Sequence, residues 1–318
     1  MGDTSDAPTS GGGRSSDARS SDTRSSDTRS SDTRSSDTVT WRALLAETEQ
    51  LLGDVQHARW ICETATSSTA GEFTAMLDAQ AGERAVAHLD AMVTRARQGE
   101  PIQYVLGSWG FRRLDLRVDA RVLITRPETE LVAELAIERA ASVSPTRSVL
   151  DLGCGSGAIG LAVADELPLS GTTVWLTDAS SDALAVARAN LAGRGRAAAN
   201  VRIAEGTWFD AVPDDMTFDV IVSNPPYVAE GSTEIDASVL DWEPAEALFA
   251  GADGLDDLRV IIAGAPERLV AGGWLVVEHG HDQGRSVRSL FEAAGFAEVV
   301  TRSDLAELDR ATRGRHER

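Results

Sequence analysis

Apolar positions between Trp41 and about Gln98 recur every three or four residues, which is the period of an amphipathic helix. The segments "WRALLAETEQLL" and "AGERAVAHLDAMVTRARQ" both follow this pattern. We therefore expect a small helical domain over residues 39–98. The positions that carry the pattern are Leu44, Leu45, Leu51, Leu52, Ala85, Leu89 and Met92.

After Gly99-Glu100-Pro101 the pattern changes to short apolar runs that alternate with helical stretches. This alternation predicts an α/β fold with a parallel, doubly wound sheet and helices on both faces. Ligands of such sheets bind beyond the carboxyl ends of the strands. In "SSDALAVARANLAG", Ser180 or Ser181 followed by Asp182 is typical of a helix N-terminus. The predicted strands are residues 148–153, 173–178, 201–206, 218–223 and 272–280.

The first 38 residues contain a five-residue repeat that starts at Ser15 and reads "SSDAR" and then "SSDTR". Ser, Asp, Thr and Arg bury too little apolar surface to offset the entropy of ordering the chain. We expect residues 1–38 to be a disordered, low-complexity tail. An arm that binds a partner is the alternative interpretation.

The composition narrows the classes of protein to which the chain can belong. No apolar run reaches the roughly 18 residues of a membrane span, and the N-terminus lacks the pattern of a signal peptide. Only Cys62 and Cys154 are present, too few for a disulfide framework. We expect a cytoplasmic protein that makes no membrane contact.

The charge of the chain argues against general phosphate binding. The formal net charge is −20, and seven Asp and five Arg in the tail leave −18 on the remaining residues. An acidic body repels nucleic acid, so we expect no direct nucleic-acid contact. All 30 basic residues are Arg, which excludes a Schiff-base lysine and a P-loop lysine.

The segment "VLDLGCGSGAIG" joins the first predicted strand to a helix through a glycine-rich loop. Gly153, Gly155 and Gly157 let the backbone approach a ligand closely. Gly155, Gly157 and Gly160 also satisfy the dinucleotide pattern, and Asp178 ends the next strand at the expected distance. A nicotinamide cofactor is therefore one candidate ligand.

Asp151 favours a different ligand for this loop. A carboxylate is unfavourable beside a pyrophosphate but suits a cation such as a sulfonium or an α-amino group. The pattern Asp-x-Gly-x-Gly-x-Gly resembles the loop of S-adenosylmethionine-dependent methyltransferases. On that resemblance, Asp178 accepts hydrogen bonds from both ribose hydroxyls of S-adenosylmethionine. The alternatives are that Asp151 caps nearby amides, that Asp178 is a helix N-cap and that Cys154 only fills the loop.

The strand "FDVIVS" runs directly into Asn224-Pro225-Pro226-Tyr227. The two prolines fix two φ angles, which holds the Asn224 side-chain oxygen and the Pro225 carbonyl in a constant relation. Such a pair can orient a carboxamide or exocyclic amine and accept its hydrogens as charge develops. We expect Tyr227 to offer a flat face to the planar acceptor. The alternative is a rigid turn without chemistry.

Together these residues resemble the release factor glutamine N5-methyltransferase family, PrmC/HemK. The resemblance covers about Trp41 to Arg315 and is weakest in the helical domain. The supporting stretches are "GEPIQYVLGSWGFRRLDLRVDARVLITRPETELV" (99–132), "LDWEPAEALFAGADGLD" (240–256), "GGWLVVEHG" followed by Gln283, and "SDLAELDRATRGR" (303–315). The resemblance implies a Rossmann-like class I methyltransferase domain over 133–318, a linker over 99–132 and a helical domain that docks the substrate protein.

The resemblance also implies a cofactor, a substrate and their contacts. The cofactor is S-adenosylmethionine, and the partners are peptide chain release factors, methylated on the glutamine of their Gly-Gly-Gln motif. The chain departs from the family at two positions. Thr125 stands where the family usually has proline, and Thr207 stands where it often has an acidic residue that contacts adenine. The implied cofactor contacts are Asp151, Gly153, Cys154, Gly155, Ser156, Gly157, Asp178, Trp208 and Asn224. The implied substrate contacts are Asn224, Pro225, Pro226 and Tyr227, of which Asn224, Pro225 and Tyr227 serve catalysis.

Three other functions remain open at this point. Glutamine methylation of a ribosomal protein uses the same chemistry, and adenine N6-methylation of nucleic acid uses the same tetrapeptide. A cofactor-binding protein without catalysis is the third. We interpret the cluster Glu278, His279, His281 and Asp282 as a strand-end loop and not as a metal site. Arg126 is expected to pair with Glu128, Glu130 or Glu243.

Overall fold

The computed structural model describes residues 39–143, 145–233 and 236–317. The predicted disordered tail, residues 1–38, lies outside the described residues. The described residues from 39 onwards belong to one compact unit. Among the helices in the described part of the chain, none is long and apolar enough to cross a bilayer.

Four helices form the N-terminal part, as the spacing of apolar residues predicts. They are α1 (Trp41–Leu52), α2 (Val55–Thr66), α3 (Ala70–Ala75) and α4 (Glu83–Arg97). Asp54 caps α2 by accepting a hydrogen bond from the His57 N–H at 2.8 Å. Leu44, Leu89 and Met92 are buried in the shared core of these helices, where the predicted apolar face placed them.

The segment from 99 to 132 has its own secondary structure. Helix α5 (Ile102–Leu106) precedes an antiparallel hairpin of β1 (Ser108–Phe111) and β2 (Leu114–Arg117). The buried Tyr104 hydroxyl donates to the Val122 carbonyl at 2.6 Å, which ties α5 to the chain that follows the hairpin. The expected linker is therefore a folded segment that packs against its neighbours.

The large sheet has seven strands in the order β5-β4-β3-β6-β7-β9-β8. The five predicted strands are all present and parallel, which confirms the α/β interpretation. Two further strands extend the β7 edge, where β9 runs antiparallel to both neighbours. The strands are β3 (Arg147–Leu152), β4 (Thr172–Asp178), β5 (Val201–Glu205), β6 (Phe218–Ser223), β7 (Leu269–Glu278), β8 (Ala297–Ser303) and β9 (Asp309–Arg315).

Helices cover both faces of this sheet because the central strands are apolar on both sides. On β3, Val149 packs with α6 and α7, while Leu150 packs with α10 and α11 on the opposite face. Ser180 caps α8 by accepting from the Ala183 N–H, as predicted. The helices are α6 (Thr129–Ser142), α7 (Ala158–Glu166), α8 (Ser181–Ala192), α9 (Ala237–Trp242), α10 (Asp256–Arg268) and α11 (Gly284–Ala293).

The strand order places a topological switch point beside β3. The chain runs outward from β3 through β4 to β5 and then returns to add β6 on the other side of β3. The loops that leave β3 and its neighbours diverge there and open a crevice at the carboxyl edge of the sheet. The glycine loop, Asp178 and Asn224 all follow strands that end at this edge.

Candidate active site

The glycine loop turns sharply between β3 and α7. Gly153, Gly155 and Gly157 have φ values of +66°, +54° and +83°, a region that residues with a Cβ rarely adopt. Gly160 lies inside α7, where a Cβ would stand 2.1 Å from Leu176 Cδ2. The loop and the start of α7 therefore require glycine for backbone and packing reasons.

Asp151 lies under this loop with its carboxyl group buried. Its Oδ2 accepts from the Gly160 N–H at 2.8 Å, so the amide-capping interpretation is correct for one oxygen. The other oxygen, Oδ1, has no hydrogen-bond partner among the described residues. Burial raises the pKa of Asp151 to about 7, against the effect of the Gly160 N–H and with a further contribution from Asp178. The residue thus presents a buried acceptor beside a cavity.

Asp178 connects the end of β4 with the glycine loop. Its Oδ2 accepts from the Gly155 N–H at 2.8 Å, and its Oδ1 accepts from the Ser180 N–H at 2.9 Å. Burial raises the pKa of Asp178 against these hydrogen bonds. Because Ser180 is the N-cap of α8, Asp178 is free of that role, and each oxygen keeps a lone pair for a ligand.

A cavity of about 310 Å³ opens between the glycine loop, Asp178 and the end of β6. Most of the predicted cofactor residues line it. The predicted residues in its wall are Asp151, Gly153, Cys154, Gly155, Ser156, Asp178, Trp208, Asn224 and Pro226. Further described wall residues include Val122, Leu123, Thr125, Thr129, Ala179, Thr207, Pro244, Glu246 and Asp257.

Trp208 forms one wall of the cavity in an unusual backbone conformation. Its φ is +48°, which is costly for a large side chain and marks a constrained position. A Cβ on Gly153 would lie 3.3 Å from the Trp208 ring, so the absence of a side chain at Gly153 leaves room for the indole. The Trp208 side chain also acts to lower the pKa of Asp257 on α10, against the larger effects of burial and Asp256. The ring stands in the cavity wall, where it can stack on a planar ligand.

Asn224 projects from the end of β6 into the same cavity. Its Nδ2 donates to the Thr129 hydroxyl oxygen at 3.3 Å. Pro226 also lines the cavity, whereas Pro225 is buried and is absent from the described residues of the wall. No local sequence pattern indicates this role of Thr129, because the contact joins residues 95 positions apart.

Tyr227 makes its contacts beside the cavity, at the end of β7. Its hydroxyl donates to Glu278 Oε1 at 3.1 Å, and its ring packs against the apolar cluster of α10 and α11. Tyr227 is therefore not among the described residues that line the cavity. The hydrogen bond to Glu278 holds the hydroxyl end of the ring at the end of β7.

Hydrogen bonds from outside the tetrapeptide hold its backbone. The Gln283 side chain donates to the Tyr227 carbonyl at 2.9 Å and accepts from the Gly280 N–H at 2.8 Å. The Val228 N–H donates to the Leu248 carbonyl at 2.9 Å. The stiffness that the prolines predict is thus reinforced by α11 and by the segment before α10.

Two family models and many curated proteins match this chain. Residues 41–107 match the PrmC N-terminal domain and residues 130–242 match the Methyltransferase small domain. The chain is 45% identical over 225 residues to a release factor glutamine methyltransferase of Xylella fastidiosa, covering 71% of this chain and 80% of that protein. The chain belongs to the release factor glutamine methyltransferase family.

Two more family members show the same degree of similarity. The enzyme of Pseudomonas aeruginosa is 45% identical over 226 residues, covering 71% of this chain and 79% of that protein. The enzyme of Vibrio cholerae is 40% identical over 231 residues, covering 73% of this chain and 79% of that protein. Family membership favours S-adenosylmethionine over the nicotinamide alternative.

The residues present fit S-adenosylmethionine, the cofactor of this methyltransferase domain. The unpaired Asp151 Oδ1 suits a cationic ligand, and the glycine loop leaves space that side chains would fill. The Asp178 carboxylate can accept from hydroxyls, and Trp208 offers a ring face. Thr207, where the family often has an acid, lines the cavity.

Two features outside the cavity are structural. His279 is buried, with its ring nitrogens 2.8 Å from the Thr312 hydroxyl and from the Gly280 carbonyl. No group of three or more His, Cys, Asp or Glu in the described ranges could hold a metal ion. Of the expected partners of Arg126, Glu243 makes the ion pair, and its other oxygen accepts from the Ile124 N–H at 3.0 Å.

Proposed function

We propose that this chain transfers a methyl group from S-adenosylmethionine to the side-chain amide nitrogen of the glutamine in the Gly-Gly-Gln motif of release factors. One observation carries the proposal. Asn224, at the start of the Asn-Pro-Pro-Tyr segment, stands in the wall of the cavity that the glycine loop forms. The family relatives are named release factor glutamine methyltransferases, which supplies the acceptor.

The chemistry requires orientation of a poor nucleophile. The lone pair of a carboxamide nitrogen is delocalised, so its two hydrogens must be accepted as positive charge develops on the nitrogen. In this proposal Asn224 Oδ1 accepts one hydrogen and the Pro225 carbonyl accepts the other. S-adenosylmethionine would supply the methyl group from its sulfonium: as the bond from the amide nitrogen to the methyl carbon forms, the bond from sulfur to that carbon breaks and a neutral thioether leaves. The nitrogen then gives up one of its two protons to solvent, and the thioether needs no proton. Pro226 narrows the approach beside Asn224.

The remaining residues of the site hold the cofactor in this proposal. Asp151 accepts from its cationic end, and Asp178 accepts from its ribose hydroxyls. Trp208 stacks against its ring, and Asn224 touches both cofactor and substrate. The turn that contacts the cofactor is formed by Gly153, Cys154, Gly155, Ser156 and Gly157. Tyr227 supports the tetrapeptide through Glu278.

The substrate is a folded protein, and the chain has room for a docking part. The four N-terminal helices have a core of their own, separate from the two clusters on the sheet. We assign substrate docking to residues 39–98, connection to 99–132 and catalysis to 133–318, with the end of the connecting segment, including Thr125 and Thr129, contributing to the cavity wall. An acidic body favours a basic protein surface and disfavours nucleic acid. A translation factor as substrate places the activity in the cytoplasm.

A transfer assay with labelled cofactor tests the proposal. The purified chain is incubated with tritiated S-adenosylmethionine and a recombinant release factor, or the same factor with the Gly-Gly-Gln glutamine replaced by alanine. Label in the first factor and none in the second is the expected result. Label in a ribosomal protein fraction or in DNA, with none in the release factor, would overturn the assignment in favour of another acceptor.

A further inference from the structure

The orientation of the Asn224 side chain decides whether Asn224 can act in the proposed reaction. A carboxamide has an acceptor oxygen and a donor nitrogen of nearly equal size, and rotation by half a turn exchanges them. Only the orientation with Oδ1 towards the cavity can accept a hydrogen of the substrate amide. Some neighbouring group must therefore distinguish the two ends of the carboxamide.

Thr129 is the group that contacts the far end of this carboxamide. Its hydroxyl oxygen lies 3.3 Å from Asn224 Nδ2. Thr129 is the first residue of α6 and only 3% exposed, so water does not compete for the hydroxyl. A hydroxyl can donate or accept, however, and by itself it would tolerate both orientations of Asn224.

Glu278 decides whether the Thr129 hydroxyl donates to Asn224 or accepts from it. Glu278 is 1% exposed and lies at the end of β7, where its Oε1 accepts from the Tyr227 hydroxyl at 3.1 Å. Its Oε2 has no hydrogen-bond partner among the described residues, and the nearby Thr129 hydroxyl acts to lower the pKa of this carboxyl. An ionised carboxylate can only accept, so its charge favours the orientation in which the hydrogen of the Thr129 hydroxyl faces it. The Thr129 oxygen then has only lone pairs left for Asn224, and the nitrogen end of the carboxamide must face it.

The ionisation of Glu278 belongs to the same network. Burial raises the pKa of Glu278 to about 7, while the hydroxyls of Thr129 and Tyr227 and the charge of Arg310 act in the opposite direction. Glu128 adds a smaller upward contribution. At about pH 8 the carboxylate form therefore predominates.

We propose that Thr129 is a positioning residue that, backed by Glu278, fixes the Asn224 carboxamide with Oδ1 towards the cavity. The inference deepens the proposed function and rests on it, because it concerns the acceptor assigned to Asn224. It predicts that the hydroxyl of Thr129, and not the bulk of its side chain, controls the orientation. Val and Ser separate these two properties, since Val keeps the shape and Ser keeps the hydroxyl.

The asparagine content of the chain permits a direct structural readout. Asn190, Asn200 and Asn224 are the three asparagines, so selective ¹⁵N-asparagine labelling gives three side-chain amide pairs. The pair missing in Asn224→Ala identifies Asn224. In Thr129→Val we expect this pair to change its proton shifts and to exchange faster with solvent, whereas Thr129→Ser retains both properties. Thr48→Val, which removes a buried hydroxyl bonded to Leu44 in α1, is the matched control and should leave the pair unchanged.

Kinetics at about pH 8 test whether the orientation matters for the reaction. Thr129→Val should lower kcat about tenfold with unchanged cofactor Kd, the scale of one lost hydrogen bond, and Thr129→Ser should restore most of the rate. In an Asn224→Ala background, Thr129→Val should not lower kcat any further, because its effect depends on Asn224. If Thr129→Val does not fold, Thr129→Ala removes the same hydroxyl with less steric demand.

The outcomes separate this inference from the proposed function. Unchanged Asn224 signals in Thr129→Val, or an equal loss of rate with and without Asn224, would overturn the inference while methylation by the wild type stands. A wild type that binds cofactor but does not methylate the release factor would overturn the proposed function. The amide signals then still decide whether Thr129 orients Asn224.

Discussion

Acidification should weaken cofactor binding through Asp151. The carboxyl of Asp151 is 1% exposed, and its Oδ1 lacks a partner among the described residues. Burial raises the pKa of Asp151 to about 7 in the protein without ligand. A cationic ligand binds the ionised form, so protonation of Asp151 competes with binding.

The size of the effect follows from this pKa. Half of the Asp151 carboxyls are ionised at about pH 7 and roughly 3% at about pH 5.5, so the affinity should fall about fifteenfold over this interval. The raised pKa of Asp178 acts in the same direction. The folded-state pKa of Asp151 lies above the unfolded value, so its protonation stabilises the fold as the pH falls. Unfolding caused by Asp151 therefore does not account for the lost affinity.

Isothermal titration calorimetry with S-adenosylmethionine across this pH range measures the effect, and Asp151→Asn is the matched variant. Its amide oxygen can still accept from Gly160, but it carries no charge. We expect roughly 10- to 100-fold weaker binding at about pH 7, the range for a lost charge-assisted hydrogen bond, and a much flatter pH dependence. An equally steep pH dependence in wild type and Asp151→Asn would refute the reasoning.

Three further predictions concern turnover and stability. Asn224→Ala should lower kcat roughly 10²- to 10³-fold with nearly unchanged cofactor affinity, and wild-type turnover would exclude its proposed role. Arg126→Met leaves the buried carboxylate of Glu243 without its cation and should cost roughly 2–3 kcal/mol in urea unfolding, whereas an unchanged midpoint would contradict this. Gly254→Ala puts a Cβ 2.3 Å from the Tyr227 carbonyl at φ +71°. It should lower the melting temperature and kcat together, and normal values of both would show that this contact is not needed.

Much of the fold could be predicted because its signals are local. The period of apolar residues identifies α1 and α4, and each of the five parallel strands is a short apolar run. Strand β8 forms the exposed edge of the sheet, and β9 lies between β7 and β8. Both carry many polar residues and contain no apolar run that would predict a strand. The hairpin of β1 and β2 lies in the segment that we had interpreted as a linker.

Some residues of the site are recognisable from local sequence, whereas others depend on contacts between distant parts of the chain. The glycine loop, Asp178 and Asn224 are recognisable because each follows an apolar strand, and parallel strands bring their carboxyl ends to one edge. The position of Tyr227 depends on Glu278, 51 residues away in the chain, and no local pattern indicates this contact. The contact of Thr129 with Asn224 could not be predicted for the same reason, because the two residues lie 95 positions apart. The stretch 99–132, which contains Thr129, indicated the family but not this contact.

Peptide mass spectrometry of a treated release factor tests the central claim most directly. The factor is incubated with S-adenosylmethionine and either the wild-type chain or Asn224→Ala, digested and sequenced by fragmentation. The account predicts one added methyl group on the side-chain nitrogen of the Gly-Gly-Gln glutamine with the wild type, and little or none with Asn224→Ala. An unmodified glutamine after incubation with wild-type protein that binds the cofactor would contradict the account.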